Sequence, residues 1–132
     1  MSRLSERIEN FNKAFKLFEE MQKNYVLNKD NDSNRLALIQ SFEIVCELGW
    51  KVLKDYLFVN GIEVHLPVEV IKEAFQKEVI KDGQVWIDMI KSRNASSHEY
   101  NIDKVNVILD DISTKYYAEL SSFKKMLEEI NG

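Results

Sequence analysis

The sequence predicts an all-α fold, a five-helix up-and-down bundle, and three observations predict it. Apolar residues recur at spacings of three and four through most of the chain, the period of a helix with one buried face. Only four Gly and one Pro occur in 132 residues, too few for the many tight turns of a sandwich or barrel. With 45% apolar residues, the chain can bury one core without disulfides or a structural metal. A single domain over residues 1–132 is expected.

Ser5 is the expected N-cap of the first helix, whose inner face is Ile8, Phe11, Ala14, Phe15, Phe18 and Met21. The polar stretch Asn28 to Asn34 reads as a loop, with Asp32 or Ser33 capping the second helix. That helix is the longest, from about Asn34 to Val59, with a stripe of Leu36, Ile39, Phe42, Cys46, Trp50, Leu53 and Leu57. Gly49 lies inside it at a cost of ~1 kcal/mol against Ala, which close packing by a neighbouring helix would offset. Asn60-Gly61 ends the helix, with Gly61 suited to a left-handed C-cap. Ile62 to Leu66 is a short extended connection, and Pro67 stands at a first helical position. Val70, Ile71, Ala74 and Phe75 form the third inner face. Asp82 caps a fourth helix carrying Val85, Trp86, Met89, Ile90 and Arg93 on one side. Asn101 to Asp103 opens the last helix, striped by Val105, Ile108, Ile112, Tyr116, Leu120, Phe123 and Leu127.

Composition also excludes function classes. Eighteen basic and 22 acidic residues leave a net charge of −4, which argues against wrapping duplex DNA by bulk electrostatics. An RNA site built from a few local cations stays compatible. No apolar run approaches the ~20 residues of a membrane span. Met1 to Glu9 alternates charged and apolar residues, so no signal peptide is expected. The lone Cys46 forms no internal disulfide, and a cytoplasmic location is expected. No His/Cys/Asp cluster stands at metal-ligand spacing, so neither a metal nor a cofactor is expected.

One stretch carries chemistry. Arg93, Asn94, His98 and Tyr100 fall within eight residues at the junction of two helices. On an unbroken helix, positions five apart point ~140° away from each other. Arg93 and His98 therefore converge only where the helix ends between them, or else meet their counterparts across a symmetric dimer. Gln40, Glu43 and Glu47 share one edge of the long helix, and Lys51 follows Glu47 by four, an ion-pair spacing. A solvated face explains them simply. Alternatively Glu43 braces Arg93 across the bundle or lines a cleft between protomers, with Glu47 in support. His65 reads as a loop histidine and Cys46 as a buried small apolar residue. Tyr116 and Tyr117 read as core and interface aromatics.

The Arg-Asn-x-x-x-His-x-Tyr pattern of Arg93, Asn94, His98 and Tyr100 resembles the signature of the HEPN superfamily. Ile39-Gln-Ser-Phe-Glu43 and Leu48-Gly-Trp50-Lys51 resemble the nucleotidyltransferase substrate-binding branch of it. So do Pro67-Val-Glu-Val-Ile71, Ala74-Phe75, Asp82-Gly83 and Trp86. The resemblance covers nearly the whole chain. It implies a helical domain that forms a homodimer beside a cognate minimal nucleotidyltransferase. Many such pairs act as toxin and antitoxin: the helical member is a metal-independent ribonuclease, silenced when the transferase adenylylates the tyrosine of the motif, here Tyr100. Other pairs were named on the idea that the helical protein holds the transferase's substrate.

The residue types suit RNA cleavage. The ribose 2′-OH needs a base working near neutral pH, and a histidine at ~6.5 fits. A phosphate crowded in the transition state needs a fixed cation, and Arg93 presents a permanently charged fork. Asn94 would assist by hydrogen bonding. Two protomers would supply two histidines, one as base and one as acid. Tyr100, a phenol at ~10, needs a partner's help to become a nucleophile, and AMP on it would set bulk and negative charge beside Arg93. RNA is the expected substrate, with tRNA a candidate. The alternative is a non-catalytic subunit in which Arg93 and His98 hold a nucleotide or acceptor, and a third reading is a dimeric scaffold with a decayed site.

Overall fold

The computed structural model describes residues 2–96 and 102–131. It consists of α1 (Arg3–Leu27), α2 (Asp32–Val59), α3 (Pro67–Gln76), α4 (Gly83–Ser96), α5 (Ile102–Asp111) and α6 (Tyr117–Asn131). A π-helical turn, Ile112–Tyr116, joins α5 to α6. The backbone stays helical through both junctions, so the expected fifth helix is present but divided. Among the described residues there is no strand, and no helix is long and apolar enough to cross a membrane.

α1 and α2 form an antiparallel hairpin with the most extensive helix contact in the chain. At one end, Asn34 of α2 donates to the Asn24 carbonyl of α1 at 3.1 Å. At the other, the buried Asp55 accepts from Arg7 Nε at 3.0 Å, with Arg3 Nε at 3.4 Å. A buried carboxylate persists only when paired, and two arginines of the first turns of α1 provide that. α3 and α4 pack on one flank of α2, and α6 closes over α1.

The core runs along the hairpin. Phe11, Phe15, Phe18, Phe42, Trp86, Tyr116 and Phe123 are all buried in it. Gly49 performs the expected role: a Cβ there would lie 3.2 Å from Trp86 Cη2 and 3.4 Å from Phe11 Cε2. The missing side chain lets the α4 indole reach α2. Trp86 in turn meets Phe123 edge-to-face at 5.1 Å.

Helix ends account for their backbone groups. Gly61 takes φ +86°, its N–H bonds the Phe58 carbonyl at 3.0 Å, and Ile62 N–H bonds the Leu57 carbonyl at 2.9 Å. This is the left-handed closure its composition predicts. α3 closes in the same way through Glu78 at φ +60°, a conformation that costs about 1 kcal/mol or more outside glycine. Pro67 opens α3, and Asp82 Oδ1 accepts from Val85 N–H at 3.2 Å.

Several expectations are corrected. Ser2, not Ser5, caps α1, accepting from Ser5 N–H at 3.1 Å. Asn31, not Asp32 or Ser33, caps α2, accepting from Asn34 N–H at 2.9 Å. In each case a polar residue slightly earlier in the chain offers the same chemistry. Leu36 is 68% exposed, because it lies about 200° round the helix from the buried Leu38. Phe75 is half exposed, resting on Gly83, where a Cβ would come within 3.1 Å of its ring. The π-turn also has a reason. Ile112, Tyr116 and Leu120 are all buried, yet two successive steps of four drift ~40° each on an α-helix. The wider turn absorbs that drift. It also changes the Ser113 carbonyl's partner, and Gln22 Nε2 of α1 donates to it at 3.0 Å.

Candidate functional site

The last turns of α4 carry Arg93 and Asn94. Their position is set from two sides. Ser92, the preceding residue, shares a 2.9 Å hydrogen bond with the hydroxyl of Tyr116. Tyr116 is buried in the π-turn and stacks on Phe42 of α2 at 5.5 Å. Burial pushes the Tyr116 phenol above its ordinary value despite the hydrogen bond it shares with Ser92, so it stays protonated as a structural hydroxyl.

Toward α2, Arg93 Nη2 faces Glu47 Oε2 at 3.5 Å, and Arg93 Nη1 donates to Asn94 Oδ1 at 3.3 Å. Glu47 is itself held: Trp50 Nε1 donates to Oε2 at 3.0 Å, and Lys51 Nζ stands 3.2 Å from Oε1. Burial acts to raise the Glu47 carboxyl. The hydrogen bonds of Trp50 and Lys51 and the charges of Lys51 and Arg93 outweigh it, and the group titrates below the usual carboxylate range. The expected Glu47–Lys51 pair is therefore present. The ion pair described for Arg93 is with Glu47, because α4 lies on α2 with Arg93 level with that turn.

A shallow groove of about 340 Å³ runs beside this contact, bordered by Gln40, Glu43, Ile44, Glu47, Leu48 and Arg93. The three polar residues that share an edge of α2 thus line one groove with the arginine of α4. Among the described residues the groove holds two carboxylates and one guanidinium, and Arg93 can attract a phosphate that enters it. Cys46 lies behind, fully buried; burial pushes its thiol up to about 12, which leaves it unreactive at neutral pH.

His98 and Tyr100 lie outside the described residues. His65 is an exposed loop residue 3.6 Å from Glu63, and it borders a different cavity, shared with Arg3, Asp55 and Phe58. Tyr117 joins the aromatic core against Phe15 and Phe18 and donates to Glu19 at 3.1 Å. Among the described residues, no three His, Cys, Asp or Glu side chains are grouped to hold a metal ion. The indole N–H of Trp50 is the member of the site that periodicity misses. The apolar stripe assigns Trp50 to the core, although its position three after Glu47 places it within hydrogen-bonding reach along the helix.

The family model for nucleotidyltransferase substrate binding protein like chains matches residues 6–129. A probable ribonuclease HepT of Haemophilus influenzae is 28% identical over 90 residues, covering 64% of this chain and 56% of that protein. The match thus spans little more than half the length of that relative. A chain in the solved structure of tri-AMPylated Shewanella oneidensis HEPN toxin in complex with MNT antitoxin shares the fold, with a TM-score of 0.77. That likeness covers 98% of this chain and 99% of the other at 11% identity, and is a likeness of fold. The family match over residues 6–129 decides the assignment: the chain belongs to the nucleotidyltransferase substrate-binding-protein-like family.

Proposed function

We propose that the protein is a HEPN-type, toxin-like endoribonuclease that cleaves RNA without a metal as a homodimer, under the control of a cognate nucleotidyltransferase. The observation that carries this reading is Arg93, set at the rim of a groove with Glu47 and Asn94 on either side of its guanidinium. Arg93 binds the scissile phosphate. His98 takes the proton from the 2′-OH, which attacks phosphorus, and the second protomer's copy of that histidine protonates the departing 5′-oxygen. Asn94 assists at the phosphate. Glu47, with Glu43 along the same groove, supports Arg93. Tyr100 is the point of adenylylation, where AMP would bring negative charge to the cation that RNA needs. The relative's name as a probable ribonuclease and the neighbour's complex of HEPN toxin with MNT antitoxin support the activity and the partner respectively.

The test is incubation of the purified chain with total tRNA in EDTA, beside His98→Ala and Arg93→Ala, with products resolved on a denaturing gel. Loss of a positioned acid or base lowers the rate by roughly 10²–10⁴, so His98→Ala should show no cleavage while keeping its helical content and dimer. Retained cleavage by that folded variant overturns the assignment. The family's description as substrate binding protein like favours a second reading, a non-catalytic subunit that holds a nucleotide or acceptor for the transferase. That reading expects no cleavage by the parent, free of AMP by mass spectrometry, and nucleotide binding that Arg93→Ala abolishes.

A further inference from the structure

We infer that Trp50 is a positioning residue, acting through Glu47 to fix the guanidinium of Arg93. The inference deepens the reading of Arg93 as the phosphate-binding group and rests on three contacts to one carboxylate. Trp50 Nε1 donates to Oε2 at 3.0 Å, the same oxygen that faces Arg93 Nη2 at 3.5 Å. Lys51 holds the other oxygen at 3.2 Å. A carboxylate pinned at both oxygens does not rotate to follow a mobile arginine, so the arginine must come to the carboxylate.

The partners differ in stiffness. Lys51 and Arg93 are long side chains, with 35% and 36% of their surface exposed, and each has several rotors to lose on ordering. Trp50 has two, and its ring packs against the hydrophobic core. The indole is therefore the rigid reference of the group. Glu47 is 31% exposed, and without the indole N–H it would sample water-facing rotamers that leave Arg93 behind. The location of the positive charge is thus decided on α2, while the residue that carries it belongs to α4.

The experiment has two readouts on the full chain. The first is the rate of phenylglyoxal modification of Arg93, measured by peptide mass spectrometry against Arg3 as internal reference. Trp50→Phe and Glu47→Gln should each raise that rate roughly threefold or more, and the double variant should be no faster than Glu47→Gln alone, because the two act in series. The second is RNA cleavage, where Trp50→Phe should lower kcat several-fold with KM nearly unchanged, since misplacing a charge weakens transition-state binding most. An unchanged Arg93 rate in Trp50→Phe overturns the inference, and so do additive effects of the two substitutions. If the parent cleaves no RNA, the ribonuclease reading fails while the labelling still decides this one. If Trp50→Phe does not fold, benzothienylalanine at position 50, which keeps the ring outline but lacks the N–H, makes the same test.

Discussion

Two tryptophan–glutamate hydrogen bonds of similar length sit in opposite electrostatic settings. Trp50 donates to Glu47 at 3.0 Å and Trp86 donates to Glu119 at 3.2 Å. Burial acts to raise both carboxyls. At Glu47 the indole bond, Lys51 and Arg93 overcome it, and the group titrates low. At Glu119 the indole bond and a backbone hydrogen bond from Asp82 work against burial and the Asp82 charge, Lys81 helps only weakly, and the group titrates high. The indole N–H is common to both, so it does not set the charge. The cations around Glu47 and the Asp82 charge beside Glu119 do. One pair serves a groove where a carboxylate meets an arginine, and the other gives a core ring somewhere to place its one polar atom.

The largest contrast is in stability. Trp86 is fully buried between Gly49 and Phe123, so Trp86→Ala should cost about 3–5 kcal/mol. Trp50 is half-buried, and Trp50→Ala should cost markedly less. Urea unfolding followed by far-UV circular dichroism measures both. Equal losses would erase the distinction between a core tryptophan and a positioning one.

The next contrast is one of pH, and its sign differs between the pairs. Glu47 has a lowered pKa in the folded state, so its contribution to stability is present above the unfolded value and fades as pH falls through the folded one. Glu47→Gln should therefore lower the melting temperature at pH 7, by an amount that shrinks as the pH falls through the folded value. Glu119 has a raised pKa, so folding is favoured while it is protonated and that advantage is lost as pH rises through the folded value. Glu119→Gln keeps an acceptor for Trp86 without the charge. It should raise stability at pH 7, by less than about 1 kcal/mol for a group partly open to solvent, and the melting temperature with it, with the gain vanishing in acid. The same sign for both variants at pH 7 would break the comparison.

Much of the scaffold is legible in sequence. Gly49, Gly61, Pro67 and Asp82 each require a particular backbone or packing role, and each performs it. The features that escape depend on how helices are offset. Gln40, Glu43 and Glu47 share one edge by spacing alone, and that edge does line the groove with Arg93. The pairing of Glu47 with Arg93 is set by the axial position of α4 on α2, and local spacing carries no record of it. The π-turn at Ile112–Tyr116 leaves no composition mark; only the two steps of four hint at it. Asp55 escapes because its partners Arg3 and Arg7 lie 48 or more positions away. His98 and Tyr100 stand on the motif alone, outside the described residues.

The smallest effect isolates the charge that separates the pairs. Asp82 caps α4 through Val85 N–H at 3.2 Å and places its carboxylate near Glu119. Asn is as good a cap as Asp, so Asp82→Asn should leave thermal stability nearly unchanged. With the like charge gone, Glu119 should titrate lower than in the parent, while Glu47, on the other pair, should not move. Side-chain carboxyl NMR across a pH series reads both groups in one sample. A fall at Glu119 alone assigns part of its upward shift to Asp82. No change there would leave burial as the cause of the upward shift, and the two carboxylates would then differ in how far neighbouring cations offset burial.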